Sequence, residues 1–116
     1  MKKGLLIFVT IITTAFLLVA CGSGKPQGMT QETYDNGVQA LEIIEKYNDA
    51  EIDENDALSR LKSIQTRVER LSIDDEIEKI KNNHLSTILD SAIFNLEFNA
   101  GNMYDSEDSL KEFLGK

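Results

Sequence analysis

Pro26 is the last proline in this chain, and from there to Lys116 the apolar residues recur every three or four positions rather than every two. A proline-free stretch with that period folds as amphipathic helices, because its apolar side chains then line one face of a 3.6-residue turn. Strict alternation of apolar and polar residues, the mark of a half-buried strand, is absent. The expected fold class is all-α: a small bundle of three long helices plus a short C-terminal helix, built as helical hairpins.

The first helix is read from Tyr34, Val38, Leu41 and Ile44, with Ala40, Ile43 and Tyr47 widening the face. Thr30 is its candidate cap, and Asn36-Gly37 weakens its first turns. The second is the cleanest, since Ala57, Leu61, Ile64, Val68 and Leu71 advance in alternating steps of four and three. Asp53 is placed to cap it, with Asp56 at its third position and Ile52 just before the cap.

Ser72, with Asp75 three residues on, marks the expected start of a third helix, running from Asp74 to about Phe98 and stopped by Ala100-Gly101. Ile77, Ile80 and Ile88 make an apolar stripe along it. From Leu85 to Phe98 the apolar residues run nearly all the way round, which predicts a central helix covered on all sides. Helices 1 and 2 are expected on one side of it. On another is a short fourth helix after Asp105 that offers Leu110, Phe113 and Leu114. An echo at an offset of 52 aligns Ile52-Asp53-Glu54-Asn55-Asp56 with Tyr104-Asp105-Ser106-Glu107-Asp108. We read it as two unrelated helices with the same Asp capping chemistry, the alternative being two related hairpins.

The beginning of the chain has another character. Lys2 and Lys3 precede an apolar run from Leu5 to Val19 that only Thr10, Thr13 and Thr14 interrupt. This is the pattern of a secretory signal. The uncharged stretch from Gly4 to Gly24 is also long enough for an uncleaved membrane span. Leu18-Val19-Ala20-Cys21, followed by Gly22-Ser23-Gly24, decides between them. It resembles the lipobox of bacterial lipoprotein signal peptides, with Leu three residues before the cut, a small Ala just before it and Cys just after.

That resemblance implies a diacylglyceryl thioether on Cys21 and cleavage between Ala20 and Cys21. It implies residues 1–20 as signal peptide, residues 21–29 as lipidated Cys and flexible Gly-rich tether, and residues 30–116 as the helical domain. The expected location is the extracytoplasmic side of the cell membrane, where paired acyl chains anchor a protein stably and one alone does not. Apart from that covalent lipid, no cofactor is expected.

Charge narrows the partners. The whole chain carries −8, and because residues 1–20 hold two lysines and no acid, the remainder carries −10. Binding nucleic acid by phosphate neutralisation needs clustered Lys and Arg, so no nucleic-acid partner is expected. One cysteine rules out an intrachain disulfide and any zinc site built from several thiolates.

The acid gathers in two clusters, at Asp49, Glu51, Asp53, Glu54 and Asp56, and at Asp74, Asp75, Glu76 and Glu78. Counted from Asp49, an EF-hand loop would need Gly where Glu54 stands and Glu where Arg60 stands. Each cluster lies where a helix begins, and carboxylates there are stabilised by about 0.3–1 kcal/mol each. Capping is therefore the preferred reading, with weak cation binding the alternative. His84 falls on the apolar stripe of the third helix, without an orienting carboxylate at helical spacing. It is read as a partly buried packing residue rather than a base. No residue is assigned to catalysis or to a metal.

Phe94 and Phe98 form an i, i+4 aromatic pair, with Tyr104 and Phe113 following. They are read first as core beneath helix 4, and otherwise as an apolar groove for a partner. The function expected is a membrane-anchored, non-catalytic interaction module for a protein or peptide. The alternatives are a structural envelope lipoprotein or a weak cation or solute binder.

Overall fold

The computed structural model describes residues 25–98 and 103–116. The lipobox residues Ala20 and Cys21 and the expected stop at Ala100-Gly101 lie outside them. Four helices follow in order: α1 Gln31–Asn48, α2 Glu54–Arg70, α3 Glu76–Glu97 and α4 Tyr104–Phe113. No strand occurs among the described residues. The chain is thus an all-α bundle of three long helices and one short one.

Three helices start on side-chain caps. The Thr33 amide donates to the Thr30 hydroxyl at 3.0 Å, the Asp56 amide to the Asp53 carboxylate at 2.8 Å, and the Glu78 amide to the Asp75 carboxylate at 3.0 Å. Each bond satisfies one of the amides that a helix start leaves open. α3 therefore begins at Glu76 behind Asp75 rather than at Asp74 behind Ser72. An Asp one residue before the first turn meets the free amide, and residues 71–74 are left to reverse the chain.

The fourth start breaks the echo. Met103 occupies the cap position of α4 without a side-chain cap bond, and Asp105 lies inside the helix rather than before it. The related spelling of residues 52–56 and 104–108 hides two different solutions.

α2 packs on both α1 and α3, α4 also packs on both, and α1 meets α3 across the middle, while α2 and α4 do not touch. The central position expected for α3 alone is therefore shared with α1. The core is built from Leu41 and Ile44 of α1, Leu61, Ile64 and Val68 of α2, Leu85, Leu89 and Leu96 of α3, and Leu110 and Leu114 at the end of the chain. Burying one such leucine fully contributes about 2 kcal/mol. Met29 joins this core with 1% of its surface exposed, so packing begins one residue before Thr30. The Lys25 ammonium donates to the Met29 carbonyl at 2.8 Å and ties residues 25–29 into a turn against the bundle.

Gly37 explains the weak Asn36-Gly37 step in α1. A Cβ there would stand 2.9 Å from Cδ2 of Leu114, so glycine leaves the room that the Leu114 side chain occupies. Helix propensity is given up for an inter-helix contact.

Candidate functional site

α3 has more apolar residues than its neighbours cover. Leu85, Ile88, Leu89, Ala92 and Leu96 are buried in the core that α3 shares with α1, α2 and α4. α4 is only 10 residues long, and among the described residues no helix lies over the remaining face. Ile77 and Ile80 near the start of α3 are 61% and 62% exposed, while Phe94 and Phe98 near its end are 59% and 67% exposed. The expectation of a helix covered all round is corrected here: α2 and α4 flank α3 and leave its outward face open. His84 lies on that open side too and is exposed rather than partly buried.

The four aromatic residues expected to form one groove are divided. The Phe94 and Phe98 rings sit against each other with centroids 4.5 Å apart and make an exposed ridge. Tyr104, at the start of α4, is 52% exposed. Phe113 is buried, and its ring meets the His84 ring edge-on, with centroids 5.3 Å apart and planes at 88°. It serves the core, as the first reading had it, whereas the α3 pair does not.

A shallow trough runs between α3 and α4. One part, about 290 Å³, lies over His84, Lys81, Glu112 and Phe113. The next, about 250 Å³, is lined by hydroxyls and amides from Thr87, Ser91, Asn95, Ser106 and Ser109, with Asp105 at its edge. Its lining offers hydroxyl and amide groups for hydrogen bonding. Among the described residues, no three of His, Cys, Asp and Glu come close enough together to hold a metal ion.

Polar side chains at the two ends of the bundle hold this surface in place. At the end where residues 25–29 enter, the Thr30 hydroxyl donates to that of Thr33 at 2.9 Å. Thr33 in turn donates to the Asn82 side-chain carbonyl at 3.0 Å, and the Asn82 amide donates to the Val68 backbone carbonyl at 2.9 Å. This chain of bonds joins α1, α3 and α2. At the other end, the Met103 amide donates to the Asn48 side chain at 3.0 Å, and Asn48 donates to Glu107 at 3.0 Å. α4 therefore receives its cap from the last residue of α1.

Glu107 also accepts from Lys111 at 2.9 Å. The bond from Asn48, then that from Lys111, holds the Glu107 carboxyl below its ordinary value. The same carboxylate raises Lys111. On the far side of α3, the Gln65 amide donates to Ser86 and to Asp90, clipping α2 to α3.

Sequence periodicity missed Asn48, Asn82, Thr33 and Gln65, because their partners lie on other helices. For Asn82 a signal existed: it occupies a core-facing position between Lys79 and Leu85 on a helix whose other inward residues are apolar. Comparison with protein-family models, curated proteins and solved structures finds no match to this chain.

Proposed function

We propose that this protein is a lipid-anchored, extracytoplasmic interaction module that binds a protein or peptide and performs no chemistry. The observation that carries this reading is the Phe94–Phe98 ridge. Two phenylalanines, each more than half exposed, stand together on a helix whose fold does not use them. Adjacent exposed aromatics at i, i+4 spacing are the usual anchors of helix-face recognition. Asp105 in the first turn of the neighbouring helix and Asp90 and Glu97 on α3, the last two also held by Gln65 and Lys62, give the ridge an acidic border, so the segment that fits it is apolar with basic residues beside it. The anchor rests on Leu18-Val19-Ala20-Cys21.

Two experiments test the halves separately. Cys21→Ala is expected to abolish lipid attachment and release the protein from the membrane fraction; unchanged fractionation and an unlipidated wild-type mass would remove the anchor. A photo-crosslinking side chain at position 94 in intact cells is expected to give a discrete adduct. The same probe at Glu42, on the exposed face of α1, is expected to give none. Equal labelling from both positions would remove the ridge as the binding face.

A further inference from the structure

Ile77 and Ile80 form a second exposed apolar pair, about 30 Å along α3 from Phe98 at 1.5 Å per residue. They lie where the chain enters the bundle. Gly28, at φ +77°, runs so close to Ile77 that a Cβ there would stand 2.8 Å from its Cγ2, and Pro26 lies beside Gly115. Lys25 is only four residues after Cys21, so the lipidated residue sits within about 14 Å of Lys25 however the chain between them runs. A bilayer that holds the acyl chains is therefore held against this end of the molecule.

Charge is divided along the same axis. At the opposite end, residues 49–56 hold five acids and residues 105–108 three, with no base in either segment. Among the described residues, the ion pairs Lys46–Glu42, Arg60–Asp56, Lys62–Glu97 and Lys111–Glu107 occupy four basic residues on that side. Lys25, Arg70, Lys79, Lys81 and Lys116 belong to the entry end and to none of these pairs. The entry end also holds Glu32, Asp35, Glu69, Asp74, Asp75, Glu76 and Glu78, which its cations balance in part. An anionic lipid surface thus repels the far end more strongly than the near one.

We propose that Ile77 and Ile80 rest on the bilayer that holds Cys21, so that the bundle stands with the start of α3 at the headgroups and the Phe94–Phe98 ridge directed away. This rests on the lipid-anchor reading. It assigns the two exposed apolar pairs of α3 to different occupants, lipid for the isoleucines and a partner for the phenylalanines. A contact by two side chains adds little affinity beside the acyl anchor, but it sets orientation.

The chain has no tryptophan, so a single introduced one is a clean reporter. Ile77→Trp, Ile80→Trp and Phe98→Trp proteins, each with Cys21 lipidation verified by intact mass, are placed in vesicles of zwitterionic and anionic phospholipid brominated along the acyl chains. Tryptophan at 77 or 80 is expected to shift to the blue and lose on the order of half its emission, as a side chain at the headgroup–acyl boundary does, while that at 98 stays unquenched. The two adjacent reporters guard against a disturbed Gly28 contact. Equal quenching at both ends, or none at 77 and 80 in a verified lipoprotein, overturns the orientation while leaving the anchor intact. Absence of quenching together with a dimeric sedimentation mass that Ile80→Ser abolishes would assign the isoleucines to a second copy instead. If Cys21 carries no lipid, anchor and orientation fall together.

Discussion

Asn82 and Asn48 join helices at opposite ends of the bundle, the first among neutral partners and the second beside a carboxylate. Asn82 is 7% exposed and links the Thr33 hydroxyl to the Val68 carbonyl. Asn48 is half-buried and links the Met103 amide to Glu107, which Lys111 also holds. A buried neutral network is strong because a lost partner strands a desolvated group. A part-exposed charged one is weaker, since solvent replaces what is lost, and it responds to pH. The network nearest the proposed membrane contact is thus the one built without a titratable group.

The largest way to break this contrast is Asn82→Ala. It leaves the Thr33 hydroxyl without its acceptor and is expected to cost about 2–3 kcal/mol in urea unfolding; a loss no greater than at Asn48 would erase the difference between the two ends. Asn48→Ala is expected to cost about 1–2 kcal/mol, since α4 loses its cap and Glu107 a donor.

The pH dependence sharpens the same comparison. Glu107 is held below its ordinary 4.5, so its ionised form stabilises the fold above about that pH, and this contribution disappears as pH falls through the lowered value. Lys111 is raised above 10.5, so its contribution is present below that pH and is lost as pH rises through the raised value. In Asn48→Ala the Glu107 carboxyl, followed by NMR, is expected to titrate at higher pH than in the wild type. An unchanged titration would show that Asn48 does not hold it. Asn82→Ala is expected to leave that titration where it was.

A smaller effect of opposite sign is expected at the α1–α2 turn. The Glu51 amide bonds back to the Lys46 carbonyl at 2.8 Å and the Ala50 amide to that of Tyr47 at 3.0 Å, which is the Schellman pattern. The residue it places in the left-handed region is Ala50, at φ +61°. The end of α4 closes in the same way, but on Gly115 at φ +76°. Ala50→Gly is expected to stabilise the protein by about 0.5–1 kcal/mol, because glycine lacks the Cβ that this conformation crowds. A loss of stability would mean that the Ala50 methyl group contributes packing. The smallest effect is expected from Phe98→Ser, which should change stability by no more than about 0.5 kcal/mol while removing the adduct crosslinked from position 94. A large destabilisation would place the ridge in the fold rather than in recognition.

Much of the fold was legible because caps and periodicity are local. Thr30 and Asp53 cap the helices they were expected to cap, and Ala57, Leu61, Ile64 and Val68 face the core as their spacing required. The candidate site was legible only in part. Phe94, Phe98 and Phe113 look alike in the sequence, yet Phe113 is buried against His84 while the other two stand in solvent. Periodicity says which residues share a face. It does not say whether another helix covers that face, because the length and placement of α4 decide this from a distant part of the chain.

By itself the sequence determined the helical class, the caps at Thr30 and Asp53, the excess of acid and the lipobox-like run that ends in Cys21. These depend on neighbours within one or two turns or on composition alone. The tertiary structure decided that α1 shares the centre with α3, that Asn48 caps α4, and that Gly37 admits Leu114. It also decided that the two ends of α3 are left uncovered. Each of these needs groups far apart in the chain to meet, and helical spacing holds no record of which helix comes to lie beside which.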